Sequence, residues 1–474
     1  MPPDFKDRSP QPTPTGPWRK FMDLLSRRWQ TLRAMEVFVG SFALLILLGT
    51  LGLKLLPGIY TGDPLGWTDA VFTATSAVCV TGLIVVDTGS NFTFGGQAFL
   101  LLLIQIGGIG MMTLASMVIF ALGGRLSLRS EASVVVPPSL SEISPRALIL
   151  AVVRFTLTFE AIGAVLLYLT WGPKLGWGHA LWPAIFHSVS AFCNAGFSIY
   201  TDSLVQFAES PVTLLIISSL IIVGGLGFVV MEELARRWRQ PRKERRALSL
   251  HTKLVLSSSL FLTLAGWLLF LMFEWNEGLN KLAYLDRLTN GLFMSITPRT
   301  AGFNTVDYRS MSNSSNFLTI LLMMIGGSPG STAGGFKTTS FAIIGLLAWS
   351  RLRSRTSVTF AERSIPEETV QRAVGLLVIG GMIIVAGIFL LAGIGDLLNQ
   401  NDGFLAEAFE VVSALNTVGL SMGVTTHLSV HACWVIILLM FVGRVGPLSL
   451  AALLRRRFAQ SRDFRYTHED VIVG

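Results

Sequence analysis

The sequence predicts an all-α polytopic membrane fold: four M1-P-M2 repeats, each a spanning helix, a short re-entrant helix and a second spanning helix, gathered around one axis. Three observations lead to this expectation. Of 474 residues, 51% are hydrophobic and only 14% charged, with mean hydropathy +0.60, too apolar for a water-soluble protein of several domains. Runs of about 20 mainly apolar residues recur eight times, the length needed to cross roughly 30 Å of hydrocarbon. One phrase also recurs four times, as AVCVTGL, AFCNAGF, TPRTAGF and ALNTVGL. It carries Gly82, Gly196, Gly302 and Gly419, spaced by 114, 106 and 117 residues.

The elements follow in chain order. Residues 1–34 form a cytoplasmic tail, of which 1–16, with five prolines and mixed charge, reads as disordered. Trp18, Phe21, Leu25, Trp29 and Leu32 then recur at helical spacing among Arg19, Lys20, Arg27 and Arg28, the pattern of a helix lying on the inner leaflet. Repeat 1 occupies 35–124, with spans at 37–56 and 97–122. Repeat 2 occupies 125–246, with spans at 147–171 and 212–233. Repeat 3 occupies 247–356, with spans at 254–273 and 317–349, and repeat 4 occupies 357–458, with spans at 370–391 and 433–454. Residues 459–474 form a second cytoplasmic tail. No cleaved signal peptide is expected, because the first apolar run starts near residue 37 and is long enough to span.

The net charge of +8 is explained by orientation rather than by nucleic acid. Of 37 Lys and Arg residues, 28 fall in the two tails and in the loops after the second, fourth and sixth spans. Six, namely Lys54, Lys174, Lys281, Arg287, Arg299 and Arg309, fall on the opposite side, and Arg154, Lys337 and Arg444 fall within spans. Both termini are therefore expected in the cytoplasm, with the four glycine turns opening outward. The basic loop at 235–253 reads as a positive-inside anchor, with anionic lipid or a cytosolic protein as its alternative partners.

The repeats agree beyond the glycine. Ten residues before it stand Phe72, Phe186, Leu292 and Phe409; six before it Ser76, Ser190, Ile296 and Ser413; five before it Ala77, Ala191, Thr297 and Ala414. Such positions suit short helices packed closely about one centre. Irregular backbone at membrane depth is tolerated only where it is buried in protein or lines water. Four extended turns on one axis can aim their carbonyl oxygens inward and replace a cation's hydration shell. The candidates are Val80, Thr81 and Gly82; Asn194, Ala195 and Gly196; Thr300, Ala301 and Gly302; and Thr417, Val418 and Gly419. Since Val80, Asn194, Thr300 and Thr417 cannot form a ring of like side chains, backbone oxygens carry most of the coordination. Arg299 would repel cations if it lay on the axis; it is expected to point away and brace the turn, against Glu407 or Glu410.

A second glycine cluster follows each turn by 24 to 28 residues: GGIG at Gly107, GGLG at Gly224, GGSPG at Gly326 and GRVG at Gly443. Close helix packing accounts for the first two. In repeat 3 the cluster expands to Gly326, Gly327, Ser328, Pro329, Gly330, Ser331, Thr332, Ala333, Gly334 and Gly335, poorly suited to helix. It is expected to be an unwound segment under the turns, a candidate gate. In repeat 4, Arg444 takes the place of Gly108 and Gly225, and a charge in mid-membrane is a functional candidate by default. Its expected role is to contact carbonyls of the unwound segment or to set an electrostatic barrier. Lys337 either joins it or snorkels. Glu160, mid-span in repeat 2, reads as a structural hydrogen-bond partner of a pore helix, with a proton or ion site as the alternative.

Cys79, Cys193 and Cys433 lack metal-ligand spacing and imply no disulfide framework. An enzyme reading would have to use His179, His187, Glu160 and Glu232, which stand at no usable catalytic spacing.

The four phrases, the glycine-rich break before Lys337, Arg444 and the ending EDVIVG together resemble the membrane subunit of Ktr-type potassium uptake systems, in the Trk/Ktr/HKT superfamily. The resemblance runs from about residue 35 to the C-terminus, and eight spans without an extra N-terminal pair look more like Ktr than Trk. It implies a homodimer with one pore per subunit in the plasma (inner) membrane, potassium as substrate, selectivity from the four glycines, and a gating intramembrane loop beside an arginine. It further implies a cytosolic ring of regulatory subunits that bind nucleotide. This chain has neither a GxGxxG placed after a strand nor a P-loop, so any nucleotide acts through that partner, and no covalent cofactor is expected. In plant relatives a serine at the first filter position accompanies sodium transport, so Gly82 points to potassium. The alternative is a sodium or poorly selective cation pathway of the same architecture, and the resemblance leaves sodium dependence open.

Overall fold

The computed structural model describes residues 34–126, 145–241, 247–398 and 403–446. The expected interfacial helix, both tails, the loop 127–144, the middle of the basic loop and the end of the last expected span lie outside these residues.

Helix dominates because nearly every segment is a long apolar run in which only intrahelical bonds can satisfy the backbone. In chain order, α1 (Ala34–Leu55), α2 (Trp67–Val78) and α3 (Phe94–Leu126) are followed by α4 (Pro145–Leu175), α5 (Trp177–Phe192), α6 (Pro211–Leu226) and α7 (Phe228–Arg239). Next come α8 (Leu250–Glu274), α9 (Tyr284–Ile296), α10 (Asn313–Met323) and α11 (Thr338–Leu352), then α12 (Glu367–Leu397), α13 (Phe404–Leu415) and α14 (Val430–Val445). A single hairpin, β1 (Thr359–Phe360) with β2 (Arg363–Ser364), joins α11 to α12. Starts are set locally: Ser249, Ser312 and Ser429 cap α8, α10 and α14 by accepting the N–H of Thr252, Ser315 and Ala432, and Pro211 opens α6.

Against the expectation of eight spans, five helices among the described residues are long and apolar enough to cross a bilayer: α1, α3, α4, α8 and α12. The pair α6 and α7 makes a sixth, bent by 102° at Gly227. The difference lies in the second helices. That of repeat 3 is split into α10 and α11 by residues 324–337, and α14 is 16 residues long before Gly446. The outward faces remain apolar, with Leu47 55%, Leu268 64%, Val385 67% and Phe389 78% exposed, an arrangement that hydrocarbon accepts and water does not.

The interior is built around the four short helices α2, α5, α9 and α13. Phe72, Phe186 and Phe409, at the in-register position ten before the glycine, are fully buried. In repeat 3 it is Phe293 rather than Leu292 that is fully buried. Each short helix is thus held by a large ring behind it, and its C-terminal end is directed at the turn that follows.

Candidate functional site

Three of the four short helices end in the same way. After α2, the N–H of Thr81 bonds the carbonyl of Ser76 at 2.8 Å and that of Val80 bonds Ala77 at 3.1 Å. The same pair recurs as Ala195 to Ser190 and Asn194 to Ala191, and as Val418 to Ser413 and Thr417 to Ala414. This is the Schellman stop, in which the residue after the cap turns left-handed. Glycine normally takes that place, yet here the residues are Val80 (φ 56°), Asn194 (φ 58°) and Thr417 (φ 50°), with Thr300 at φ 77° in repeat 3. A β-branched residue in this region is strained and persists only where the surroundings dictate it. Repeat 3 departs from the others, since Ala301 and Gly302 both donate to the carbonyl of Thr297.

Two residues on, Gly82, Gly196, Gly302 and Gly419 also have positive φ, whereas the residue between does not. The turns meet here. A Cβ added at Gly82 would lie 2.4 Å from the carbonyl oxygen of Ala195, and one at Gly196 2.8 Å from that of Ala301. One at Gly302 would lie 2.3 Å from the oxygen of Val418, and one at Gly419 2.1 Å from that of Thr81. Each turn touches the next and the fourth touches the first, so the twelve candidate residues close into a ring. No side chain fits between neighbouring turns, which is the physical demand for glycine. The in-register hydroxyls hold the ring from behind. Ser76 and Ser413 accept the N–H of Gly82 and Gly419 at 3.1 Å, while Ser190 and Thr297 donate to the carbonyls of Phe197 and Phe303 at 2.8 and 2.6 Å. The buried hydroxyls of Thr81, Thr300 and Thr417 have no protein partner.

Residues 326–336 pass under the ring without helix. Their backbone bonds go to one another and to repeat 2: Gly326 N–H to the carbonyl of Phe336 at 2.8 Å, Ser328 N–H to that of Gly225 at 2.9 Å, and Phe228 N–H to that of Gly330 at 3.0 Å. Thr332 Oγ1 lies 3.0 Å from the Asn194 amide and 3.2 Å from the carbonyl of Phe192. On the other side, Phe336 N–H reaches Asn416 Oδ1 at 3.4 Å, and a Cβ on Gly334 would lie 2.0 Å from Thr417 Oγ1. The unwound segment therefore touches turns 2 and 4 directly. Ser328, Ser331, Thr332 and Ala333 are all buried.

Arg444 is fully buried and donates to the carbonyls of Thr332 at 2.7 Å and Gly107 at 3.0 Å. It ties the segment to α3, a partner that spacing did not reveal. Lys337 Nζ donates to the carbonyls of Ala333 at 2.8 Å and Gly334 at 3.3 Å, so it folds back on the segment instead of snorkelling. The first glycine of each other cluster is a packing site. A Cβ at Gly107, Gly224 or Gly443 would lie 2.1, 2.0 or 1.7 Å from the carbonyl oxygen of Val78, Phe192 or Leu415.

Arg299 points away from the ring, but its partners are on α8: it donates to the carbonyl of Ser259 at 3.3 Å and to Thr263 Oγ1 at 2.8 Å. Glu410 is not its partner, because that carboxylate accepts from the hydroxyls of Ser421 and Thr425. The third turn thus uses backbone and hydroxyl oxygens of the neighbouring helix where an acid was expected. Glu160 accepts from Gln105 at 2.9 Å and from Cys193 at the end of α5, and its own carbonyl accepts from Ser188 at 2.7 Å. The left-handed residues and the role of Asn416 were not anticipated; four unlike residues at one register carry no sequence signal for a shared φ.

A helical bundle with apolar flanks and four glycine turns closed into a ring defines a multi-pass membrane protein of the transport class. Residues 25–466 match the TrkH family of cation transport proteins, and the chain belongs to that family. It is 37% identical over 434 residues to the Ktr system potassium uptake protein B of Vibrio alginolyticus, covering 90% of this chain and 92% of the relative. It is 36% identical to the protein of the same name in Bacillus subtilis and to the potassium/sodium uptake protein NtpJ of Enterococcus hirae, in each case over 94% of this chain and 98% of the relative. The potassium transporter TrkH of Vibrio parahaemolyticus shares the fold, with a TM-score of 0.71 at 21% identity over 91% of this chain and 87% of that one. Within the family the chain is of Ktr type, a transport protein and not an enzyme.

Proposed function

We propose that this chain is the pore-forming subunit of a potassium-selective uptake system of the plasma membrane, with both termini cytoplasmic. Four M1-P-M2 repeats surround one pore, and the carbonyls of the four turns are its filter. The observation that carries this reading is the closed ring of glycine contacts, which leaves backbone oxygens and the orphaned hydroxyls of Thr81, Thr300 and Thr417 as the groups able to replace water around a cation. The segment from Gly326 to Gly335, with Lys337 and Arg444, is the gate: an arginine holding two carbonyls can open the path by releasing them. The Ktr system names of the relatives support a further component of the system; in this reading it is a cytosolic regulatory ring that supplies nucleotide control, and the pore subunit is a homodimer with one pore per subunit.

The test is flux into liposomes containing the purified protein under matched potassium and sodium gradients. Potassium flux well above sodium flux is the expected result; equal fluxes would overturn potassium selectivity. A second reading, sodium or poorly selective transport, is favoured by the relative named as a potassium/sodium uptake protein. Under it, Gly82→Ser leaves the flux ratio unchanged.

A further inference from the structure

The ring has a second layer of support that follows the repeat register but is present in only two repeats. Nine residues before the glycine stand Thr73, His187, Phe293 and Glu410; two residues after it stand Ile84, Ser198, Asn304 and Ser421. In repeat 2 these positions touch, with His187 Nε2 2.9 Å from Ser198 Oγ. In repeat 4 they touch again, with Ser421 Oγ donating to the Glu410 carboxylate. In repeat 1 the Thr73 hydroxyl has no protein partner and Ile84 offers none, and in repeat 3 Phe293 has no polar group. Because turn 2 neighbours turns 1 and 3, and turn 4 neighbours turns 3 and 1, the two braces stand at opposite corners of the ring.

His187 and Glu410 are fully buried. The His187 Nδ1 faces the carbonyl of Pro183 at 2.8 Å, so Nδ1 carries the proton and the neutral ring's Nε2 shares the one Ser198 hydroxyl proton with the Ser203 carbonyl, 3.1 Å from Ser198 Oγ. The ring also stacks on Tyr200, with centroids 5.1 Å apart. Ser198 Oγ in turn accepts the N–H of Tyr200 at 3.0 Å. The Glu410 carboxylate accepts from Thr425 Oγ1 at 2.6 Å as well as from Ser421, and Ser421 Oγ accepts the N–H of Gly423 at 2.8 Å. Each brace therefore runs from a pore helix, through one serine hydroxyl, to the backbone that leads away from the filter on the outer side.

We infer that His187 and Glu410 are positioning residues for cation selectivity: through Ser198 and Ser421 they hold the outer flanks of filter turns 2 and 4, adding at two opposite corners of the ring a contact that turns 1 and 3 lack at this register. Touching no ion themselves, they act through the backbone whose oxygens do. This inference rests on the reading of the ring as the ion path.

The test uses the full chain in liposomes, with the ratio of potassium to sodium flux and the total flux measured for Ser198→Ala, Ser421→Ala, His187→Phe, Glu410→Gln and the two paired double variants. The expected result is a fall of roughly fivefold in the flux ratio for each single variant, the factor that one net hydrogen bond represents. Each double variant should be no worse than its worse single, because the two residues form one contact. Ser198→Thr and Ser421→Thr, which keep the hydroxyl, should restore the ratio, and Ile84→Val, at the same register in the unbraced repeat 1, should leave it unchanged. An unchanged ratio and flux in the serine variants, which lose a single oxygen atom and keep the chain's volume, would overturn the inference. So would a loss of thermal stability with the ratio intact, or additive double variants. Equal potassium and sodium flux in the wild type would overturn the potassium reading instead, and the braces would then be judged on total flux through the same double-variant comparison.

Discussion

A single absent methyl group is the strongest feature at the scale of residues. At Gly82, with φ 95°, a side chain would have to displace the Ala195 oxygen 2.4 Å away, so Gly82→Ser should move a coordinating group of the neighbouring turn as well as its own. The expected outcome is a fall of roughly tenfold in potassium over sodium flux, the factor corresponding to about 1.4 kcal/mol of differential binding. Competition flux in liposomes checks it. Arg444 makes the opposite case, since its charge costs most when unpaired and its two carbonyl partners belong to different repeats. Arg444→Ala should raise ion flux several-fold, most clearly without the proposed regulatory partner, and lower thermal stability by about 3 kcal/mol as the buried oxygens of Thr332 and Gly107 lose their donor. Unchanged flux would separate Arg444 from gating. The glycines and the arginine were legible because each violates what a membrane helix prefers. Val80, Asn194 and Thr417 were not, because their left-handed φ is imposed by the Schellman stop, nor was Thr300, whose positive φ arises in a turn of different bonding.

Among the elements, the second helix of each repeat is where like sequences part. GGIG at Gly107 lies within the uninterrupted α3, whereas GGLG at Gly224 ends α6 in a 102° bend. The bend is made at Gly227, with φ 89°, where a Cβ would lie 2.8 Å from the oxygen of Pro329. The N–H of Phe228, freed by the break, is taken by Gly330. Gly227→Ala should therefore destabilise the protein by about 2 kcal/mol through strain and loss of that fit, visible as a lower melting temperature in detergent. The proposed gate segment belongs to this scale too. Deleting residues 327–334 removes the backbone that contacts turns 2 and 4, and flux through the purified chain alone should rise. Equal flux in the deletion and the wild type would show that the segment does not obstruct the path.

For the whole molecule, the ring is a closed cycle of four contacts between residues more than 100 positions apart in chain order, and the one that closes it, Gly419 to Thr81, joins the fourth turn to the first. A cation that bridges all four turns binds only the assembled fold, so it should stabilise the protein by mass action. Potassium at a hundred times its dissociation constant should add about 2.7 kcal/mol against heat, and sodium at the same concentration much less. Melting curves in the two salts check this; equal shifts would argue for an unselective ring. The sequence alone determined the membrane class, the fourfold repetition of the glycine phrase, the helix break before Lys337 and the Ktr-type family, because hydropathy, glycine and buried charge act locally and leave their mark at each position. Only the tertiary structure decided that Arg299 turns to Ser259 and Thr263, that Arg444 ties Thr332 to Gly107, and that the chain bends between α6 and α7 where α3 continues unbroken. The physical reason is one of partners: a buried donor or a kinked backbone goes to whichever oxygen the other repeats bring within reach, and what lies within reach is a property of the assembled ring rather than of any one repeat.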